Sequence, residues 1–276
     1  ATYPAQAQMT ESRLAIESLT TTQFRNYASY SFAPQGKSVI ITGKNGVGKT
    51  NLLEAASLLS AGRGLRGAKL QQLQHQPTST TLGWGVSIQL SDDKGGSLNF
   101  ATGQRPDNSE KRILKIDGEP VKKQSALSEH FSVLWQTPQM DGLFTNGAGE
   151  RRRFYDKVCS VFLPHHASLI AKYDYLRRER NKLLMSYGDA TWLSSIERKM
   201  AETTLAIAAT RLEMLDSLNY AIGQLDDAFP KATLNLHGYA EVELIEGKQP
   251  ALDIEEQLCR LLAESRLADA QSGRAS

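Results

Sequence analysis

The amino-acid sequence predicts a mixed α/β protein with a helical arm, and three observations carry that prediction. A β-branched run, Ser38–Thr42 (SVIIT), leads directly into a glycine-bearing loop that continues into an amphipathic stretch, residues 50–60 (TNLLEAASLLS). Residues 79–118 alternate apolar and polar positions over several short segments. From Gly149 onward the apolar period becomes that of helices. Alternation presses one face of a strand on a core, and a 3.6-residue period does the same for a helix, so the order of periods reads as sheet first and helices second.

Taken in order, residues 1–12 are expected to be a disordered leader, because Ala1–Gln8 has neither the basic region nor the apolar core of a secretory signal. Three short strands are expected within 14–42, carried by Leu14, Ile16 and Leu19, by Tyr30 and Phe32, and by Ser38–Thr42 as a buried strand. Strands follow at Thr80–Leu90, Ser97–Ala101 and Arg112–Ile116, the last running into Asp117-Gly118, a hairpin turn pair. Phe131–Gln136 reads as one more apolar strand. Helices are expected over 150–162, 167–187 and 192–224, broken by Pro164 and by Gly188-Asp189. The last two can pair as an antiparallel hairpin, though each is too short for a long coiled coil. Residues 231–245 return to alternation and 252–270 to a helical period. The organisation expected is a first lobe over 13–148, a helical arm over 149–230, and a return segment over 231–276.

Length and composition bound the classes available. A chain of 276 residues, 40% hydrophobic and 22% charged, has the balance of an ordinary soluble globular protein with a sizeable core. It contains no run of about 18 apolar residues, so a membrane span is not expected. Cys159 and Cys259 lie in no CxxC or CxH pattern and read as thiols of a reducing compartment. His165 and His166 lack a spaced partner ligand and read as a surface pair at a helix start, not a metal site. The net charge of +2 is uninformative, but its distribution is not. Between 150 and 182 stand Arg151, Arg152, Arg153, Lys157, Lys172, Arg177, Arg178, Arg180 and Lys182 against Glu150, Asp156, Asp174 and Glu179, so this segment is +5 and the rest −3. Either a polyanion docks there or the charges form a solvated helix face.

One motif carries chemistry. Gly43-Lys44-Asn45-Gly46-Val47-Gly48-Lys49-Thr50 matches GxxxxGK[ST] without a mismatch, with the strand pattern before it and the helix pattern after it. Glycines let the backbone curl around a phosphate, and the exposed N–H groups then form an anion nest at a helix N-terminus. Lys49 is placed to reach the β- and γ-phosphates of ATP, and Thr50 to offer its hydroxyl to Mg²⁺. The motif names a superfamily and not a particular activity.

Residues around the loop narrow it. Phe24-Arg25-Asn26-Tyr27 precedes the loop, Asn51-Leu52-Leu53-Glu54-Ala55 follows it, and Gly62-Arg63-Gly64-Leu65-Arg66-Gly67 comes next. Downstream stand Thr137-Pro138-Gln139-Met140-Asp141 and Glu150-Arg151-Arg152-Arg153-Phe154-Tyr155-Asp156. This order resembles the RecF family of bacterial recombination mediators, relatives of the SMC and ABC ATPases, from about residue 13 to the C-terminus. The resemblance implies an ABC-type P-loop ATPase lobe with an antiparallel β subdomain, followed by a helical arm. It also implies a cytoplasmic, nucleoid-associated protein of DNA repair and replication restart. Such a protein dimerises in response to ATP on duplex DNA or at single-strand/double-strand junctions, and helps a RecR-type partner load RecA. Carried onto this chain, Gly43–Thr50 is the ATP site with Thr50 towards Mg²⁺, and Arg25 and Asn26 lie close to the nucleotide. Gln136 or Gln139 is the Q-loop residue. Arg63, Arg66 and the Arg151–Arg153 cluster are candidates for DNA phosphates or a dimer partner, with a structural or interdomain role for the triple arginine equally open.

The chain departs from that pattern in lacking an LSxGQ-like signature and a Walker B strand. Gln224-Leu225-Asp226-Asp227 follows a helical, not a strand-like, stretch. The sequence therefore reads as truncated before a further C-terminal block, and weak nucleotide binding with negligible hydrolysis is the expectation. Three rivals are less well supported. A GTPase needs an NKxD-like motif, and the Asn-Lys pair after the loop, Asn181-Lys182, continues into Leu183-Leu184 inside a helix. A small-molecule kinase needs strands alternating with helices where 79–118 reads as consecutive strands. A vestigial P-loop in a structural protein predicts no response to ATP.

Overall fold

The computed structural model describes residues 14–60, 62–76, 83–105, 111–121, 127, 130–186, 188–226 and 230–272. The expected leader lies outside the described residues. The chain forms two compact units, residues 1–136 and 137–276.

The first unit is built on a six-stranded antiparallel sheet in the order β2-β1-β3-β4-β5-β6. Its strands are β1 (Ala15–Phe24), β2 (Tyr27–Phe32), β3 (Trp84–Ser91), β4 (Ser97–Gln104), β5 (Ile113–Ile116) and β6 (Glu119–Pro120). Register explains the alternation. Leu19 lies opposite Ile88, and Ile88 opposite Phe100, so one face carries the apolar residues. The next row, Ser31, Thr20, Ser87, Ala101 and Lys115, faces the other way. Helix α1 (Lys49–Ser57) lays Leu52 and Ala55, with Leu58 and Leu59 just beyond it, into the core cluster that contains Phe24, Trp84, Val86 and Phe100. Phe24 and Phe100 are fully buried, and each such side chain contributes about 1.5–3 kcal/mol. The Trp84 ring packs edge-on to Phe24, and its Nε1–H donates to the Leu70 carbonyl and to Gln104 Oε1. Between β5 and β6, Asp117 and Gly118 both take positive φ (48° and 85°), the geometry a two-residue hairpin turn requires.

Two expected strands do not form. Ser38–Thr42 runs into the loop without ladder partners among the described residues, and Ile40 is 90% exposed. A β-branched run has the shape of a strand, but only a neighbour's N–H and C=O groups make it one. Phe131–Gln136 likewise joins no ladder among the described residues; Phe131 instead packs edge-on against Phe100 at 4.7 Å.

The second unit is helical: α2 (Ala148–Phe162), α3 (Pro164–Met185), α4 (Ala190–Gln224), α5 (Tyr239–Glu246), α6 (Ala251–Glu264) and α7 (Arg266–Ser272). Helices α3 and α4 pack antiparallel, as the pairings His166–Thr210 and Arg180–Glu197 show. Asp189 turns the hairpin by accepting from the Trp192 backbone N–H, satisfying one of the free donors at the start of α4. The alternation over 231–245 is not a strand. Residues 231–238 have no ladder and Tyr239–Glu246 is α5, which ends at Gly247 in the left-handed conformation (φ 60°). Among the described residues no helix is long and apolar enough to cross a membrane, and no group of His, Cys, Asp and Glu could hold a metal.

Candidate functional site

The loop Gly43–Gly48 stands between the segment 38–42, which joins no ladder among the described residues, and α1. Gly43, Gly46 and Gly48 all take positive φ (143°, 82° and 113°), so the backbone curls in a way side chains would resist. Gly48 is the N-cap of α1 and supplies no side-chain acceptor, and no acidic residue stands in the first turn. The N–H groups at this end therefore meet no negative side chain of their own helix, which suits an incoming anion. Lys49 Nζ lies across the loop, donating to the carbonyls of Gly43 (2.7 Å) and Lys44 (2.8 Å). The ammonium is thus already drawn over the cradle. Lys44, Asn45, Gly46, Val47 and Thr50 are exposed around it. This donor set, a nest of amides with one lysine, fits a phosphate chain, and the Thr50 hydroxyl fits one position on a magnesium ion.

The β1–β2 turn braces the loop. Asn26 donates from Nδ2 to the Val47 carbonyl (2.8 Å), and its Oδ1 accepts from Asn51 Nδ2 (2.8 Å). A Cβ on Gly48 would stand only 2.5–2.7 Å from the Asn26 amide and the Tyr27 hydroxyl, so this approach requires glycine. Burial and the neighbouring Tyr30 push the Tyr27 phenol above its ordinary range, which keeps it protonated against the loop. Arg25 holds a positive φ (53°), an uncommon conformation for a side-chain-bearing residue, and its guanidinium forks onto Glu54 of α1 at 2.9 and 2.7 Å. Its third group donates to the Gln72 carbonyl. Arg66 reaches the same carboxylate at 3.0 Å and Asn51 Oδ1 at 2.7 Å. Glu54 is 1% exposed and carries both arginines.

The other expected site residues fall as follows. Arg63 is exposed. Next to it, the Gly62 carbonyl accepts from Arg112, whose Nη2 has no hydrogen-bond partner among the described residues and whose guanidinium burial lowers to about 10. Gln136 is the last residue of the first unit and Gln139 sits in the 3-10 turn Pro138–Gly142 of the second, both exposed. Arg151, Arg152 and Arg153 are all exposed in the first turns of α2, with Arg151 donating to the Asn146 carbonyl and Arg153 3.8 Å from Glu150.

Sequence reasoning misplaced one histidine and missed two charge clusters. His165 is exposed, but His166 is fully buried, hydrogen bonded to Thr210 (2.6 Å) and Asp156 (3.1 Å). Asp156, the last residue of the ERRRFYD run, also receives a two-pronged contact from Arg211, which goes on to Glu241. Burial alone would raise the Asp156 carboxyl, but the hydrogen bonds from His166 and Arg211 hold it below its usual range. Farther along, Arg180 is fully buried between Glu197 (2.9 Å) and Asp269 (2.6 Å), while Arg266 also binds Glu197. These partners lie 17 to 89 positions apart, a separation at which no local spacing rule applies.

No protein-family model matches the chain. The DNA replication and repair protein RecF of Rhizobium etli is 39% identical over 267 residues, covering 95% of this chain and 70% of that protein. Its counterpart in Agrobacterium fabrum is 39% identical over 271 residues, with 96% and 70% covered. Among solved structures, the recombination mediator protein RecF with ATPrS, of the RecFOR pathway, superimposes with a TM-score of 0.77 at 23% identity. The same mediator with ATP gives 0.71 at 21%, and both cover 95% of this chain and 70% of theirs. The structural likeness shows the shared mixed α/β fold, and identity near two fifths over almost the whole chain shows the lineage: the chain belongs to the RecF family of DNA replication and repair proteins.

Proposed function

We propose that this chain binds ATP at Gly43–Thr50 and acts as an ATP-gated DNA-binding switch in recombinational repair and replication restart. The observation that carries the reading is the loop itself, three positive-φ glycines ahead of an uncapped helix N-terminus with Lys49 drawn across them. The matching solved mediators are structures with ATP or ATPrS, which supports the same ligand here. In this reading Lys49 neutralises the terminal phosphates, Thr50 offers its hydroxyl to Mg²⁺, and one of Gln136 and Gln139 serves as the Q-loop residue. The exposed Arg151, Arg152 and Arg153 of the second unit, and separately Arg63 and the 42%-exposed Arg66 of the first, are the candidates to meet DNA phosphates. Assembly as an ATP-dependent homodimer, work with a RecR-type partner to load RecA, and a cytoplasmic place beside the nucleoid complete the proposal.

Nucleotide binding is tested by thermal denaturation. Mg-ATP at 100 times its dissociation constant is expected to add about 2.7 kcal/mol of stability, and Lys49→Ala to abolish the gain. A wild-type chain whose stability ignores Mg-ATP would overturn the reading. DNA affinity is expected to fall steeply between low and moderate salt with little regard to sequence, and a salt-independent affinity would remove the phosphate-contact part. The chain alone is expected to hydrolyse ATP negligibly. The acid of α1, Glu54, is buried under two arginines and unavailable to polarise a water, so turnover abolished by Lys49→Ala would contradict this.

A further inference from the structure

We propose that Asn26 is a positioning residue of the phosphate loop, and that Asn51 and Arg66 act on the loop through it. The proposal rests on the nucleotide-site reading of Gly43–Thr50. Its physical basis is the peptide plane between Val47 and Gly48. In a trans peptide the carbonyl and the N–H point in opposite directions, so whatever holds the Val47 oxygen also aims the Gly48 N–H. Asn26 Nδ2 holds that oxygen at 2.8 Å, which turns the Gly48 N–H away from the β1–β2 turn. Gly48, at φ 113° and without a side chain, is the position at which the plane could otherwise flip and present a carbonyl where the cradle needs a donor.

The orientation of the Asn26 amide is itself determined. An amide side chain can be turned either way, and only its partners decide which end is the donor. Asn51 Nδ2 donates to Asn26 Oδ1 (2.8 Å), leaving the Asn26 amino group to face Val47. Arg66 Nη1 donates to Asn51 Oδ1 (2.7 Å), leaving the Asn51 amino group to face Asn26. A guanidinium cannot accept, so a chain headed by Arg66 runs in one direction only, from Arg66 through Asn51 and Asn26 to the Val47 carbonyl. Glu54, held by Arg25, anchors the head at 3.0 Å. The relay joins the four motifs FRNY, GKNGVGKT, NLLEA and GRGLRG, since each contributes a member to one hydrogen-bonded path. It also gives the 42%-exposed Arg66 a positioning role at the head of the path.

Two measurements test this on the 276-residue chain. The first is hydrogen exchange without nucleotide, comparing wild type with Asn26→Ala. Exchange at the amides that the loop holds, Val47 on the Lys44 carbonyl and Asn51 and Leu52 on the Gly48 carbonyl, is expected to rise about tenfold while that of β3 and β4 stays unchanged, and unaltered exchange there would overturn the proposal. The second is a double-mutant cycle on Mg-ATP affinity. Asn26→Ala and Asn51→Ala are each expected to weaken binding about 3- to 10-fold, the range of one hydrogen bond. The double variant is expected to stay within about twofold of Asn26→Ala alone, because the two residues act on the loop in series. Independent effects that multiply would show that Asn51 does not act through Asn26. A wild type that binds no nucleotide would remove the functional reading, and the exchange experiment would then decide the positioning role alone.

Discussion

Replacing Arg180 with methionine isolates the charge cluster at the centre of the second unit. Arg180 is 0% exposed, and its carboxylate partners Glu197 and Asp269 are 2% and 1% exposed. In Arg180→Met the side-chain volume is roughly kept, so the change is the loss of the ion pairs together with the guanidinium's hydrogen bonds to the Leu262 carbonyl and the Ser265 hydroxyl. Glu197 retains Arg266 as a cation, while Asp269 keeps the Ser265 hydroxyl at 2.8 Å but loses the guanidinium at 2.6 Å. Breaking a buried pair by removing one partner costs about 3–5 kcal/mol, because the remaining charge is stranded in a poorly polarisable interior. With the Ser265 contact and the second arginine retained, the lower end applies, about 3 kcal/mol. For a domain of this size that is a fall in Tm of roughly 6–12 °C. Urea denaturation followed by helical circular dichroism gives the free energy directly. The companion variant Arg180→Met/Asp269→Asn neutralises the carboxylate that has lost its guanidinium and is expected to recover at least half the loss. A single-variant loss below about 1 kcal/mol, or a double variant as unstable as the sum of both singles, would refute this reasoning.

Two further outcomes follow from particular residues. Half-buried on α2, Lys157 has its ammonium lowered by desolvation from 10.5 to about 7. The unfolded chain then binds the extra proton between about pH 7 and 10.5, so stability rises with pH across that window and is flat with respect to this group below it. Solvent screening holds the effect to on the order of 1 kcal/mol. Lys157→Met should flatten that rise, and parallel wild-type and variant stability curves from pH 7 to 9 would refute it. In the phosphate loop, Gly48→Ala and Gly46→Ala separate strain from collision. Both positions have positive φ, but a Cβ at Gly46 meets open space and one at Gly48 meets Asn26 and Tyr27. Gly46→Ala is expected to cost about 1 kcal/mol and Gly48→Ala about 2–3, read from thermal unfolding of the two variants, and the reverse order would contradict the brace.

Much of the architecture was legible because it rests on local periods. The alternation of Thr80–Leu90 and the helical period of 192–224 report which side of each element faces a core, and β3 (Trp84–Ser91) and α4 (Ala190–Gln224) form close to where those periods place them. The glycine loop Gly43–Gly48 was legible for another reason, since the glycines and lysine of GxxxxGK[ST] stand at set spacing, and Gly43, Gly46 and Gly48 do take positive φ. Pairing was less legible. Ser38–Thr42 advertises a strand, but whether it joins a ladder depends on a neighbour its own residues do not name. Residues 239–246 were ambiguous because Tyr239, Ala240, Val242, Leu244 and Ile245 satisfy both periods over so short a stretch. The signal that decides in favour of a helix is the bracketing pair Gly238 and Gly247, the latter in the left-handed cap conformation. The buried ionic groups were not legible. Nothing near Arg180 in sequence distinguishes it from the exposed Arg177 and Arg178, and its burial follows from the packing of α3, α4 and α7.

The residues around the phosphate loop show how a string of separate motifs becomes one physical object. Arg25 adopts a backbone conformation that glycine would take more easily, which costs about 1 kcal/mol or more and calls for a compensating side-chain role. That role is the fork onto Glu54, with the third nitrogen group on the Gln72 carbonyl, so a single planar cation joins the β1–β2 turn, α1 and the segment leading to β3. A lysine could not substitute, because its ammonium would reach one carboxylate oxygen or the carbonyl, without the fork that fixes Glu54 in plane. Glu54 in turn cannot be exchanged for an apolar residue without stranding two arginines, and Arg66 cannot leave without freeing Asn51. On the proposed nucleotide reading, the loop glycines supply the freedom to wrap a phosphate, and this network removes the part of that freedom that would misdirect an amide.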